Sequence, residues 1–126
     1  WLPQDKVLFS GDLVEFDATP YAGDAYFSNW PKTLDNIAAL QPLALVPGRG
    51  PALKGAAQVQ AGLDATRAFV SDLYASVKIG AAAGKDLKTV YRDTYAVLAG
   101  APAATPIEVR LSIAASTSAG SEMFST

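Results

Sequence analysis

Two short apolar runs, each followed by a glycine-containing loop, constrain the fold of this chain more than any other feature. Lys6–Ser10 leads into Gly11-Asp12, and Leu43–Val46 leads into Pro47-Gly48-Arg49-Gly50-Pro51. Both runs lack the alternation of apolar and polar residues, which is typical of strands that are covered on both faces. Strands are therefore predicted near 6–14 and 43–46, each placing a loop at its carboxyl end, where α/β sheets carry functional groups.

Three helical patterns accompany these strands. Asn29 as N-cap and Pro31 in the first turn predict a helix near 30–40. Apolar residues at spacings of three and four predict a second helix near 56–79, and Asp86 predicts the cap of a third helix near 86–99. The predicted apolar faces are Val59, Leu63, Thr66, Val70, Leu73, Tyr74 and Val77 in the second helix and Leu87, Val90, Tyr91, Tyr95 and Leu98 in the third. The alternation of strands and helices predicts an α/β fold.

The last part of the chain differs in character from the rest. Branched apolar residues alternate with polar ones over 107–113, which predicts a further strand that pairs with this chain's own sheet or across a homodimer. Residues 114–126 are mostly small and polar. We therefore expect two parts, a half-domain over 1–100 and a divergent strand with a flexible tail over 101–126. Because the chain opens on Trp1, we also expect a cut or processed product.

The absence of cysteine and histidine excludes several kinds of chemistry. The chain has no disulfide framework, no thiolate nucleophile, no Ser-His-Asp triad and no zinc site built from its own imidazole or thiolate groups. Its net charge of −2 is too balanced for coating nucleic acid or an anionic membrane, and no apolar run could span a bilayer. We expect neither kind of partner. A chain without cysteine is compatible with a reducing compartment, so we expect the cytoplasm.

The two strand-end loops carry a family resemblance. Gly11-Asp12, then Trp30 and Leu34, then Leu45–Pro51 resemble the second half of a metallo-β-lactamase-fold hydrolase over residues 6–53. The resemblance implies half of an αββα sandwich with zinc or another divalent metal in the intact fold. It also implies that the Asp of the Gly-Asp motif bridges two metal ions and that a Pro-Gly-His-Gly loop supplies the last His ligand. Asp12 is then the implied metal ligand.

Two departures from the family pattern affect this expectation. The His-x-His-x-Asp-His motif of the first half of the fold does not occur, and Arg49 stands where the last His ligand is implied. A guanidinium stays protonated and has no lone pair for a metal, so a His-bearing segment could complete one metal site at most. Arg49 is either a fixed cation near Asp12 that replaces the charge of a second metal or orients an anionic substrate, or it is an exposed loop residue.

The stretch between Asp12 and the first predicted helix is acidic and aromatic. Glu15, Asp17 and Asp24 offer the oxygen ligands of a hard cation, but their spacing matches no calcium loop, and we expect them to be solvated. Its aromatic residues either form the rim of a substrate pocket or pin the loop to the helix. These residues are Tyr21, Tyr26, Phe27 and Trp30.

The resemblance and its departures leave two functional hypotheses. The first is the carboxyl-terminal portion of a metal-dependent hydrolase, inactive as an isolated chain because the His ligands are absent, with the missing amino-terminal half as its partner. The alternative is a non-catalytic binding or oligomerisation module that retains the half-fold and pairs with a second copy. Fold does not fix function, so the sequence leaves the enzyme assignment and the substrate open.

Overall fold

The computed structural model describes residues 1–100, and every structural statement below concerns that part of the chain. Three helices and a three-stranded sheet confirm the predicted α/β class. The elements are β1 (Val7–Gly11), α1 (Trp30–Ala39), β2 (Ala44–Pro47), β3 (Leu53–Lys54), α2 (Ala56–Ala82) and α3 (Leu87–Gly100). The predicted strand over 107–113 and the predicted tail lie outside the described residues, so the division at residue 100 stays a prediction.

The sheet brings the two predicted strands side by side. Its order is β1-β2-β3, with β1 parallel to β2 and β3 antiparallel to β2. Leu8 pairs with Leu45, which in turn pairs with Leu53. A parallel pair needs a crossover, and α1 lies in the connection between the two strands. The carboxyl ends of β1 and β2 therefore lie at the same edge of the sheet.

Within the described residues, the helices cover only one face of this sheet. Leu8 and Ser10 of β1 and Leu45 of β2 are buried, whereas Phe9 is 61% exposed. Helix α2 contacts β2 and β3 and packs against α1. The expectation of strands covered on both faces is therefore not met in residues 1–100, although the runs are apolar. Successive side chains along a strand point to opposite faces, so cover on one side leaves every second residue outside.

The hydrophobic core lies between the covered face of the sheet and the first two helices. Leu34, Leu45 and Leu63 are at most 1% exposed. Burial of one such side chain stabilises the fold by about 1.5–3 kcal/mol. The Trp30 indole is also buried, and its Nε1–H donates a hydrogen bond of 3.0 Å to the carbonyl oxygen of Leu13. This bond ties the start of α1 to the loop that follows β1.

The ends of α1 and β1 differ in detail from the sequence pattern. Asn29 occupies the N-cap position, but its side chain makes no capping hydrogen bond, and Pro31 lies in the first turn as predicted. The helix ends before Gln41, whose φ is +51°. Strand β1 ends at Gly11 (φ +52°), and Val14 lies in the following turn as a fully buried residue.

The second half of α2 leaves the core and packs against α3. Val70 is fully buried, but Tyr74 and Val77 of the predicted apolar face are 36% and 41% exposed. A Cβ at Gly80 would lie 2.7 Å from Val90 Cγ2, so the two helices approach closely there. Helix α2 has 27 residues. Within residues 1–100, no helix combines the length and the apolar composition needed to cross a bilayer.

The buried face of α3 is narrower than the sequence pattern predicts. Its buried residues are Val90, Thr94 and Leu98, at a constant spacing of four. Thr94 Oγ1 lies 2.9 Å from Ser76 Oγ, so the polar member of this face is paired across the two helices. Leu87 is 76% exposed. Its assignment to the apolar face was wrong because only α2 covers this helix among the described residues, from one side.

We expect Asp86→Ala to lower the melting temperature by removing the N-cap of α3. Asp86 accepts hydrogen bonds from the Thr89 backbone N–H (3.0 Å) and the Thr89 hydroxyl (2.9 Å). These bonds hold the pKa of Asp86 below its usual value. A depressed carboxyl pKa stabilises the fold above the unfolded-state pKa, and this stabilisation is lost as pH falls through the folded-state pKa.

The measurement is thermal unfolding by circular dichroism over a range of pH. The difference in melting temperature between the wild type and Asp86→Ala should shrink as the pH falls below the usual pKa range of aspartate. Asp86→Asn is the matched control, because its amide oxygen can still cap the helix but does not titrate. A deficit of Asp86→Ala that stays the same down to the lowest pH would contradict this role.

Candidate functional site

The loops that follow β1 and β2 lie against each other at one edge of the sheet. The Gly48 N–H points at two carbonyl oxygens of the first loop, Gly11 at 2.9 Å and Val14 at 3.1 Å. The Phe16 N–H donates to the carbonyl oxygen of Arg49 at 3.2 Å. Backbone hydrogen bonds thus join the Gly-Asp loop to the Pro-Gly-Arg-Gly loop in both directions. The positive φ of Gly11 starts the turn that brings them together.

Gly48 and Gly50 of the second loop are required because the first loop lies so close to them. A Cβ at Gly48 would lie 2.7 Å from Asp12 Oδ1 and 2.9 Å from the Gly11 carbonyl oxygen. Gly50 has a φ of +96°, and a Cβ there would collide with the carbonyl oxygen of Phe16. Side chains are therefore excluded on either side of Arg49. The sequence spacing of glycine, one residue, glycine has this steric origin.

Arg49 forms an ion pair with Glu15. Arg49 Nη1 lies 3.3 Å from Glu15 Oε1; the Glu15 side chain is fully buried and the Arg49 side chain is 53% exposed. The expectation that Glu15 is a solvated loop residue is wrong. Its neighbours Val14 and Phe16 are apolar and belong to the core or pack against it, so the chain draws Glu15 inward with them.

The backbone of Glu15 is fixed from the opposite side by α2. Its N–H donates to Thr66 Oγ1 at 3.3 Å, and its carbonyl oxygen lies 3.0 Å from the same hydroxyl. Thr66 is 1% exposed. The Gly62 carbonyl oxygen also lies 3.0 Å from this hydroxyl, so its one hydrogen is shared between two acceptors. A buried hydroxyl that accepts from the Glu15 N–H and lies next to its carbonyl oxygen leaves that residue little freedom to turn outward. Glu15 therefore joins the first loop to α2 through its backbone and to the second loop through its side chain.

The surroundings of Glu15 oppose its ionisation. Burial raises the pKa of the Glu15 carboxyl above its usual value, the Arg49 guanidinium lowers it, and the neighbouring Asp12 carboxylate raises it again. Glu15 Oε2 is buried and has no hydrogen-bond partner among the described residues. Asp12, Glu15 and Arg49 thus form one electrostatic cluster.

The cluster does not fit a zinc ion by itself. Within residues 1–100, no three side chains of His, Cys, Asp or Glu are grouped to hold a metal ion. Asp12 is exposed at the carboxyl end of β1, where it could serve as one ligand. Arg49 cannot coordinate a metal, and one oxygen of Glu15 faces its guanidinium. A metal at Asp12 would need its remaining ligands from outside the described residues.

A cleft of about 490 Å³ opens beside Asp12, between the loop and the start of α1. We call it the tyrosine cleft. Its lining residues are Asp12, Leu13, Tyr21, Asp24, Ala25, Tyr26, Asn29, Trp30 and Thr33. The candidate rim residues Tyr21, Tyr26 and Trp30 thus lie around one cavity, while the Arg49 side chain is engaged by Glu15. Whether this rim binds a substrate stays a prediction.

The four aromatic residues divide between the two roles that the sequence left open. Trp30 is buried and Phe27 stacks on Tyr74 with ring centroids 5.6 Å apart, so both attach the loop to helices. Tyr21 and Tyr26 are 53% and 80% exposed and leave their rings available at the cleft. Sequence analysis missed Asn29 and Thr33 as lining residues, because their role depends on how the loop folds back over α1.

The comparisons with known proteins give one partial similarity. No family model matches the chain. The chain is similar to the metallo-beta-lactamase type 2 of Bacteroides fragilis, with 40% identity over 55 residues. The matched segment is 40% of this chain and 22% of the Bacteroides protein, so the chain spans about a fifth of that relative. This similarity supports a weak relationship to the hydrolase fold of the metallo-β-lactamases.

We expect Arg49→Met to destabilise the chain more at neutral pH than at a pH of about 4. Without the guanidinium, the buried Glu15 carboxylate loses the only cation paired with it among the described residues. Because the pKa of Glu15 is raised, its protonated form is favoured in the fold, so its contribution to stability falls as pH rises through the folded-state pKa. The loss of stability in Arg49→Met should therefore be smaller in acid, where Glu15 is protonated.

Thermal unfolding of a double-mutant cycle measures this coupling. Glu15→Gln combined with Arg49→Met should recover most of the neutral-pH stability, since no buried charge is left unpaired. Arg92→Met is the control, because Arg92 is 73% exposed in its pair with Asp93 and should matter little. Equal losses for Arg49→Met at both pH values, or no recovery in the double variant, would show that the pair is not coupled.

Proposed function

We propose that this chain is the carboxyl-terminal portion of a metallo-β-lactamase-fold, metal-dependent hydrolase and is inactive by itself. The observation that carries the proposal is the contact between the Gly-Asp loop and the Pro-Gly-Arg-Gly loop at the carboxyl ends of two parallel strands. The partial similarity to the Bacteroides fragilis enzyme supports the same relationship. The chain would contribute one wall of an active site whose His ligands lie on the missing half.

The exposed face of the sheet supports a missing half. Phe9, which is 61% exposed, and its partly exposed neighbour Val46 on β2 leave apolar side chains on the face that no helix of residues 1–100 covers. A second sheet packs on such a face at a distance of about 10 Å. Covering these side chains would remove apolar surface from water and so favour association. We propose that the amino-terminal half of the fold occupies this face.

Asp12 would be this chain's contribution to the metal centre. Its carboxylate is exposed, and it forms no ion pair with a lysine or arginine of residues 1–100. A bound metal would act as Lewis acid and generate hydroxide for hydrolysis. Asp12 would hold the metal, and its carboxylate would interact electrostatically with the neighbouring Glu15 carboxyl. The geometry of the remaining ligands belongs to the missing half.

Arg49 would replace the charge of a second metal. Its guanidinium sits on the loop that carries the last His ligand in the family, and it neutralises Glu15 beside Asp12. Half of the side chain stays exposed, so it can also orient an anionic group. We therefore propose a centre with one metal at most.

One observation favours the alternative, a non-catalytic module that retains the half-fold. The described residues hold no group of metal ligands, yet they expose an apolar sheet face that a second copy could cover. In that case this chain would associate as a homodimer and would need no His-bearing segment. A dimer that dissociates on Phe9→Glu, with no metal bound, would favour the module over the hydrolase.

The hydrolase proposal predicts a natural protein larger than the 13.1 kDa of this chain. Intact-mass spectrometry should detect it, and metal analysis after dialysis should find zinc or another divalent ion. Asp12→Asn should lower that metal content, because it removes this chain's ligand. Asp5→Asn is the matched control and should retain the metal.

The 126-residue chain alone should retain no zinc against a mild chelator, because it offers oxygen ligands only. Stoichiometric zinc on the isolated chain would sink the assignment of the missing ligands to another segment. A natural protein of 13.1 kDa without metal would sink the hydrolase proposal itself.

A further inference from the structure

The tyrosine cleft has a chemical character of its own. Two of its lining residues, Asp12 and Asp24, are carboxylates, and none of them is a lysine or an arginine. Three of them are aromatic, and two of those, Tyr21 and Tyr26, are largely exposed. A cavity with two negative charges and several aromatic rings favours a cation that also has an apolar surface.

The Arg49 side chain does not offset these charges at the cleft. Its guanidinium is paired with Glu15, and Arg49 is not among the lining residues. Asp12 and Asp24 therefore set the sign of the cleft, and oppositely charged ligands gain from both.

The start of α1 does not turn the cleft into an anion site. The Trp30 N–H already donates to the Tyr26 carbonyl oxygen at 3.0 Å, and the Thr33 N–H donates to the Asn29 carbonyl oxygen at 3.1 Å. Pro31 has no N–H to offer. Anions bind helix starts through free N–H groups, and these positions leave few of them toward the cleft.

The loop fixes one of the aromatic walls in advance. A Cβ at Gly23 would collide with the Tyr21 hydroxyl, so the loop crosses directly over this ring. The Trp30 ring at the base is held by its hydrogen bond to Leu13. Walls that are already ordered cost less entropy when a ligand binds.

We propose that the tyrosine cleft binds an organic ammonium cation. The cationic head would lie against the Tyr21 and Tyr26 rings with Asp24 and Asp12 as counter-charges, and its apolar substituents would contact Leu13 and Trp30. Neither a metal nor the missing half of the fold is needed for this binding. The inference goes beyond the hydrolase proposal: Asp12 is common to both, but the test uses the metal-free 126-residue chain and variants of Asp24 and Tyr26, so either proposal can fail without the other.

The experiment is an NMR titration of the full 126-residue chain with choline and with 3,3-dimethylbutan-1-ol, its uncharged isostere. Choline should shift the signals of the cleft residues with a dissociation constant in the millimolar range. The isostere should bind about two- to fivefold more weakly, which is the size of an exposed cation–π contribution. Added salt should weaken the binding of choline but not that of the isostere.

Two variants and one control assign the effect to the cleft. Asp24→Asn and Tyr26→Leu should each weaken choline binding about two- to fivefold. Both residues are exposed, so neither change removes a core contact. Asp64→Asn makes the same chemical change on α2 away from the cleft and should leave binding unchanged. No binding of choline, equal binding of the isostere, or an effect of Asp64→Asn equal to that of Asp24→Asn would overturn the proposal.

Discussion

The arrangement of the site depends on one buried carboxylate. Glu15 is bound to α2 through its backbone by the Thr66 hydroxyl, to the second loop by the Arg49 guanidinium, and to the first loop by its place three residues after Asp12. A fully buried carboxylate is costly without a counter-charge, so the partner that supplies this charge is held in place as well. The Gly48 N–H and the absence of a side chain there then let the loops touch.

This arrangement gives the Pro-Gly-Arg-Gly loop a different electrostatic role from that of a metal-binding loop. An arginine at position 49 brings a permanent positive charge where a neutral ligand would bring a lone pair. The buried Glu15 carboxylate forms an ion pair with this guanidinium, and Asp12 stays exposed beside the pair. Asp12 thus remains at this edge of the sheet as a possible metal ligand, whereas Arg49 on the neighbouring loop cannot coordinate a metal. The exposed sheet face around Phe9 is the surface on which we propose that the amino-terminal half of the fold packs.

The sequence predicted the elements that depend on local pattern and missed what depends on tertiary contacts. The strand-end loops, the three helices and the Asp86 cap follow from periodicity and capping chemistry, and the structure has them. The burial of Glu15 could not be read from charge alone, although its apolar neighbours Val14 and Phe16 signalled it. Strand β3 has two residues, too few to show a pattern. Cover of one sheet face instead of two depends on what packs there, which a strand's own residues do not specify.

The central claim is that Glu15 is a buried carboxyl held between the Arg49 cation and the Asp12 carboxylate. The most direct test is an NMR titration of the glutamate side-chain carboxyl carbons in the wild type and in Arg49→Met. We expect the pKa of Glu15 to lie above that of a glutamate in an unfolded peptide, and to rise further when Arg49 is removed. A Glu15 pKa at or below the peptide value, or one that does not respond to the loss of Arg49, would contradict the account.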